Sequence, residues 1–250
     1  MLDRITPVIL TRDEEPNIAR TVAQLAWARE VLIVDSLSTD RTLDIARQFP
    51  NVRIVQRELD SLAAQWSFGV EQVRTPWVLA LDADHFVTDE LNRELAALEP
   101  PPGTHAYIAA FDYAMRGKRL RASLYPPRVV LVHRDHVAFW QDGHAQRMRV
   151  DGETGRLRGK IVHDDRKSLA RFIERQRKYM RQEARKLREA DPRTLNLPAR
   201  IRKLVVVAPF AVLVHTLFVK GLILDGVAGL HYTFERVLAE CILSRELLRR

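Results

Sequence analysis

Trp77–Leu91, WVLALDADHFVTDEL, turns a buried strand into a charged edge within three residues. Trp77–Leu81 is a continuous apolar run bounded by Pro76, the pattern of a strand covered on both faces. Asp82, Ala83 and Asp84 follow. If strand geometry continues through them, the two carboxylates point to one side. Thr88 is placed to cap a helix whose first turn holds Asp89 and Glu90. Open α/β sheets bind ligands at the carboxyl ends of parallel strands. Hard oxygen ligands of this kind suit Mg2+ or Mn2+, which keep waters and take substrate phosphates as remaining partners. D-x-D alone is also the composition of a solvated turn. The strand before it and the helix after it favour a metal or phosphate site.

Outward from this stretch, strand and helix alternate. Ile5–Leu10, Val31–Val34, Val52–Val55 and Val78–Leu81 read as strands, and Asn17–Trp27, Thr42–Phe49 and Ser61–Val73 as the helices between them. Short connections between alternating elements predict an α/β fold with a right-handed, mostly parallel, Rossmann-like sheet and flanking helices. No Gly-x-Gly-x-x-Gly follows the first strand, which argues against a dinucleotide site. The layout sets three acidic loops on one edge: Asp13/Glu14, Asp35, and Asp82/Asp84. Such loops around one crevice suit ribose hydroxyls, a base edge and a metal-bound diphosphate. Asp40, in STDR, belongs to a helix start.

The chain has 250 residues, 46% hydrophobic and 29% charged, enough for one large domain with or without an appendage. Its net charge of +8 and pI near 10.0 call for an anionic partner. One cysteine, Cys241, leaves no internal disulfide and no zinc–thiolate cluster, which fits a reducing compartment. The N-terminal MLDRITPVIL, with Asp3 and an early strand, does not read as a signal peptide.

VILTRDEEPNI, VLIVDSLSTDRTLDIA and WVLALDADHFVTDEL resemble the three signature segments of family 2 glycosyltransferases, inverting enzymes of GT-A fold. The resemblance covers roughly residues 1–100. It implies that Asp82 and Asp84 form the DXD motif that holds a divalent metal on the diphosphate of a nucleotide-sugar donor. It also implies that Glu14 and Asp35 contact ribose and base, with Thr11 and Arg12 beside them. Gln65 and Trp66 occupy the donor-side segment that in the family usually carries a basic residue and Asn.

Beyond Glu99 the pattern changes. Pro100–Gly103 marks a connection, and His105–Met115 and Arg128–His133 read as strands. Phe139–Val150 is expected to lead through DGETG into a hairpin partner, RLRGKIVHDD. An inverting transfer needs a base for the acceptor hydroxyl. Asp142 is the candidate, His144 the second, and Asp164 and Asp165 follow; Asp142–Gly143 is equally turn chemistry. Arg147 suits either a diphosphate contact or an exposed strand position. His163, with no further ligands near it in sequence, is expected to have a structural role on the acceptor side.

Between Arg166 and Lys203 stand 14 Lys and Arg against four acids, a net of +10. Two interrupted apolar runs follow, Leu204–Val219 and Gly221–Tyr232. The first is shorter than a bilayer span and carries Pro209 and His215; the second is broken by Asp225. A basic stretch feeding interrupted apolar helices reads as a peripheral or re-entrant anchor on an anionic membrane surface. A buried helix pair is the alternative. HDDRKSLARFIERQRKY and KGLILDGVAGLHY resemble the tails of bacterial enzymes similar to lipopolysaccharide-core glucosyltransferases. That implies hexosyl transfer to a glycolipid or lipid-linked acceptor at the cytoplasmic face of the inner membrane.

The expected organisation is a catalytic domain over 1–165, with donor half 1–100 and acceptor half 101–165, and a basic, apolar helical tail over 166–250. The competing readings are a polyprenyl-phosphate sugar synthase, a nucleotidyltransferase and a nucleic-acid-binding protein. The nucleotidyltransferase lacks a Gly-rich basic loop after the first strand. Nucleic acid is not an expected partner, because the basic stretch has few aromatics and no stacking platform.

Overall fold

The computed structural model describes the backbone of residues 1–142 and 145–249, and their side chains except those of 141, 142, 145 and 146. The elements in chain order are β1 (Ile5–Thr11), α1 (Ile18–Ala23), β2 (Val31–Asp35), α2 (Thr42–Ala46), β3 (Val52–Gln56), α3 (Leu62–Glu71), β4 (Trp77–Asp82), β5 (His85–Val87) and α4 (Asp89–Ala97). They continue with β6 (Thr104–Met115), β7 (Lys118–Arg119), β8 (Arg128–His133), β9 (Val137–Asp142), β10 (Ala145–Val150), β11 (Glu153–His163), α5 (Leu169–Glu189), α6 (Leu197–Lys203), α7 (Val207–Val214) and α8 (Val227–Leu248). Two compact units result: Met1–Tyr113 with Tyr125–Arg166, and Ala114–Leu124 with Lys167–Arg250.

In the first unit the strand order is β3-β2-β1-β4-β8-β6-β11-β5. β3, β2, β1 and β4 are parallel, as their alternation with helices dictates. β8 enters antiparallel between β4 and β6, and β5 closes the far edge antiparallel to β11. The sheet expected to be mostly parallel is therefore a mixed one. β1, β2 and β4 are apolar on both faces because helices cover both: Ile9, Ile33, Leu79 and Leu81 face one core cluster, Val8, Leu32, Val34 and Val78 the other. Thr88 caps α4 by accepting from Leu91 N–H, as its sequence signature requires.

One expected pairing is wrong. β10 pairs with β9, while β11 leaves that hairpin to run parallel to β6. The turn chemistry of DGETG is present, but β11 buries Leu157, Ile161 and Val162 in the large sheet, a burial that pairing with β10 alone would not supply. β11 also lies close over α4. A Cβ at Gly159 would stand 2.5 Å from Leu91 Cα. The Gly159 N–H reaches Glu94 at 2.8 Å, and Thr88 donates to Lys160 O at 2.8 Å.

At the opposite edge of the sheet from the acidic loops, His105, His133 and His136 cluster beside Trp77. His105 and His136 stack with centroids 3.5 Å apart, and His133 meets the Trp77 ring edge-on at 5.4 Å.

In the second unit α5 packs on α8 through Ala184, Leu187 and Leu243. Asp225, which breaks the apolar sequence run, is 7% exposed and accepts from the Arg121 backbone and guanidinium at 3.0 Å each. Arg202 holds Glu240 at 2.8 and 3.0 Å. Among the described residues no helix is long and apolar enough to cross a membrane. Phe210, Phe218, Val219, Leu224 and Val227 are 63–83% exposed in this chain.

Candidate functional site

The site grows from the carboxyl ends of β1, β2 and β4. At β2 the Asp35 carboxylate is fully buried. It accepts from Thr11 Oγ at 3.0 Å, from Ser38 N–H at 2.9 Å and Oγ at 2.5 Å, and from Gln56 Nε2 at 3.1 Å. Asp13 reaches across the same loops to accept from Thr39 N–H at 2.8 Å. Thr11 and Asp35 thus knit the β1 and β2 loops into one floor. A contact between a nucleotide and the Asp35 carboxylate would replace one of these bonds. Gln65 is likewise buried, its Nε2 holding Arg57 O at 2.9 Å and Glu58 O at 3.1 Å. Glu14 accepts from Asn17 Nδ2 at 2.9 Å, and Arg12 is exposed. Asp40 serves the start of α2, accepting from Thr42 N–H at 3.0 Å.

The strand of the DXD segment stops at Asp82, and Ala83–Asp84 is a turn. The two carboxylates converge through that turn, not through the strand alternation the sequence suggested. Asp82 Oδ2 lies 3.5 Å and Asp84 Oδ1 3.9 Å from one atom, His85 Nε2. Asp84 is nearly buried, while the Asp82 side chain is 46% exposed.

β11 supplies the partner that sequence reasoning missed. Because β5 pairs antiparallel with β11, His163 falls opposite His85, and its Nδ1 stands 3.6 Å from Asp84 Oδ1. His163, expected to have a structural role on the acceptor side, thus lies beside Asp84. The following residue ties the two segments: Asp164 N–H donates to Asp84 O at 3.0 Å. Asp164 is in turn clamped by Arg20 at 2.9 Å and Arg166 at 3.0 Å, and Asn17 reaches Asp165 at 3.2 Å. Burial lowers the Arg20 pKa, an effect opposed by the Asp164 charge.

Aromatic rings wall this centre. His85 packs on Phe111 at 5.0 Å, His163 stacks on Tyr125 at 4.8 Å, and Arg128 sits 4.5 Å over the Tyr125 ring. Burial pushes the His85 pKa below its ordinary value against the pull of Asp82 and Asp84. Burial, with Asp82 next, raises the Tyr125 phenol.

Ligand atoms of Asp84, His85 and His163 lie within 4.8 Å of one another. Carboxylate oxygen with imidazole nitrogen is a donor set that fits Mn2+ or a similar divalent ion. His144 lies outside the described residues, as does the side chain of Asp142, whose backbone ends β9. Arg147 is exposed on β10.

Comparison with known proteins gives the family and the fold. The model of the family described as "Glycosyl transferase family 2" matches residues 7–144. An uncharacterized glycosyltransferase of Rickettsia typhi is 29% identical over 109 residues, 43% of this chain and 37% of that protein. The lipopolysaccharide core biosynthesis glycosyltransferase LpsC of Rhizobium meliloti is 27% identical over 133 residues, 48% of this chain and 49% of that one. The chain thus spans less than half the length of these curated relatives. Among solved structures, a mannosyltransferase of Pyrobaculum calidifontis in complex with GDP-Man and Mn2+ aligns over 99% of this chain and 88% of its own, with TM-score 0.55 and 16% identity. TarS 1-349 of S. aureus in complex with UDP-GlcNAc aligns over 98% and 91%, with TM-score 0.50 and 14% identity. At these identities the structures show a shared fold.

Proposed function

The chain belongs to glycosyl transferase family 2, and from that premise we propose that it transfers a hexose, with inversion, from a nucleotide sugar to a glycolipid acceptor at the cytoplasmic face of a membrane, in lipopolysaccharide or other surface-glycan synthesis. The observation that carries the reading is the meeting of Asp84 with His163, 3.6 Å apart, at the sheet edge where the β1, β2 and β4 loops converge. Asp84 and His163 would hold a Mg2+ or Mn2+ ion, with Asp82 beside them on the open side. When bound, that ion supplies positive charge to the departing diphosphate.

The chain's own residues do the rest. The floor built by Thr11, Asp35 and Ser38 presents the ribose and base side of the crevice, with Glu14 at its rim. Arg12, exposed beside it, is a cation within the donor loops. The aromatic wall of Phe111, Tyr113 and Tyr125 keeps water from the inner face of the metal-binding groups. Asp142 is our candidate base for the acceptor hydroxyl, with Asp165 next, since Asp164 is committed to two arginines.

The second unit supports a lipid-linked acceptor. Phe210, Val214, Phe218, Val219, Leu224 and Val227 are all at least 52% exposed. Unpartnered apolar surface on this scale marks an interaction face. The net +10 of residues 166–203 adds attraction to anionic headgroups. The test is transfer of label from a panel of radiolabelled nucleotide sugars to glycolipid extracted from Gram-negative inner membranes, with and without EDTA. Metal-dependent label in the lipid phase, of inverted anomeric configuration, is expected. Label that stays in the aqueous phase with every donor would contradict the lipid acceptor.

A further inference from the structure

We infer that His85 serves this centre by fixing the Asp82–Asp84 turn through its Nδ1, and not as a third metal ligand; the inference rests on the metal-assisted reading above. By proximity alone His85 belongs with Asp84 and His163, since ligand atoms of the three lie within 4.8 Å of one another. The hydrogen bonding of its ring separates it from them.

A backbone N–H can only donate. The Asp82 N–H donates to His85 Nδ1 at 3.0 Å, so Nδ1 must carry the lone pair. A neutral imidazole with a bare Nδ1 bears its proton on Nε2. The same contact excludes a proton on Nδ1, whatever the state of Nε2. It is Nε2–H, therefore, that faces the site. Nearest to it are Tyr125 Oη at 3.4 Å, its hydrogen-bond partner, then Asp82 Oδ2 at 3.5 Å and Asp84 Oδ1 at 3.9 Å. A nitrogen that bears hydrogen has no lone pair for a cation.

Metal-binding histidines show the reverse arrangement, with the ligating nitrogen bare and the remote one donating to a carboxylate or carbonyl. His85 has its acceptor on the remote side and its donor toward the carboxylates. Its ring is also held in place. Phe111 packs at 5.0 Å and His163 at 5.4 Å, and a flip would set a C–H against the Asp82 N–H. The i, i+3 contact also satisfies the last N–H of β4 and fixes the turn that turns Asp84 inward. With its proton on Nε2, His85 stands outside the ligand set. It leaves Asp84 and His163, with Asp82 at the open side, as the protein's ligands. Coordination positions then remain for diphosphate oxygens and water, as Mg2+-type sites require.

The test uses the full-length protein, uniformly labelled with 15N, and long-range proton–nitrogen correlation of its eight histidines. His85 and His163 are assigned from the signals lost in His85→Asn and in His163→Asn. Before metal is added, His85 is expected as the Nε2–H tautomer. On addition of Mg2+ with uridine or guanosine diphosphate, the His163 nitrogens should shift while His85 keeps its Nε2–H. An Nδ1–H tautomer of His85, or a metal-induced shift of its Nε2 toward the ligated range, would overturn the inference and leave the metal-assisted reading intact. No response from either histidine with either nucleotide would remove the metal reading and this inference with it.

Discussion

Replacing Gly159 by alanine tests how the fold delivers His163 to Asp84. The new Cβ would stand 2.5 Å from Leu91 Cα, 2.7 Å from Leu91 N and 2.8 Å from Leu91 Cβ. The first two atoms belong to the backbone of α4 and cannot rotate away, so β11 and α4 must separate. Overpacking of this kind costs about 1–3 kcal/mol. Separation also stretches the bonds from Glu94 to the Arg158 and Gly159 N–H groups, which places the cost toward the upper end. In a chain of this size that lowers the Tm by about 2–12 °C. His163 lies four residues along the same strand, in register with His85 and Tyr113. A displacement of about 1 Å at a metal ligand can cost 10²-fold in turnover. The assay is differential scanning fluorimetry without ligand, then calorimetric titration of Mn2+ with nucleoside diphosphate. Both stability and metal-dependent nucleotide affinity should fall. A variant that melts like the wild type would show that the close approach of β11 to α4 is not a constraint. One that melts early but binds metal and nucleotide normally would break the proposed link between that approach and the centre.

Asp142→Asn should depress turnover by about 10²–10⁴-fold while nucleotide affinity with Mn2+ stays unchanged, because a base for the acceptor does not touch the donor; equal weakening of both would place Asp142 elsewhere. Burial holds the pKa of His133 below its ordinary value, with Asp135 opposing and His136, His105 and Arg4 adding to the depression. The unfolded chain therefore takes up a proton that the native one refuses. The stabilisation is complete above about pH 6.5 and is lost as the pH falls through the lowered native pKa. Urea midpoints between pH 7.5 and 5.0 should decline, and less steeply in His133→Leu; His85, depressed by burial as well, contributes to the same slope. Phe210→Ser with Phe218→Ser should weaken sedimentation with anionic vesicles by at least about tenfold, since each buried Phe is worth about 1.5–3 kcal/mol. Unchanged sedimentation would remove these residues from the membrane-facing surface.

The donor half of the fold is legible in the sequence because its signals are local. Apolar runs of strand length, each followed by a helical period, fix β1 to β4 and set Thr11, Asp35 and Asp82 on one edge. Thr88 and Asp40 declare their helix starts by side chains that act within three residues. The centre itself is less legible. His163 is separated from Asp84 by a strand pairing of short β5 with β11, and three residues of β5 carry no periodic signal. DGETG reads as a hairpin turn, yet the strand after it joins β6, because the burial that decides the pairing is distant in sequence. Asp225 reads as an interruption of an apolar run; its partner Arg121 stands 104 residues away. The geometry of the D-x-D turn was also beyond the pattern, since strand alternation would have aligned the carboxylates without His85.

In the proposed function a metal on Asp84 and His163 completes the nucleotide site. Calorimetric titration of uridine and guanosine diphosphates, with Mn2+ and with EDTA, tests it in the wild type and in Asp84→Asn. The wild type should bind one of the two nucleotides with Mn2+ and lose about 10²-fold or more in EDTA, or in the variant with Mn2+, because a neutral amide is a poor ligand for a hard cation. Nucleotide binding that is equal with Mn2+ and with EDTA, and indifferent to Asp84→Asn, would contradict it.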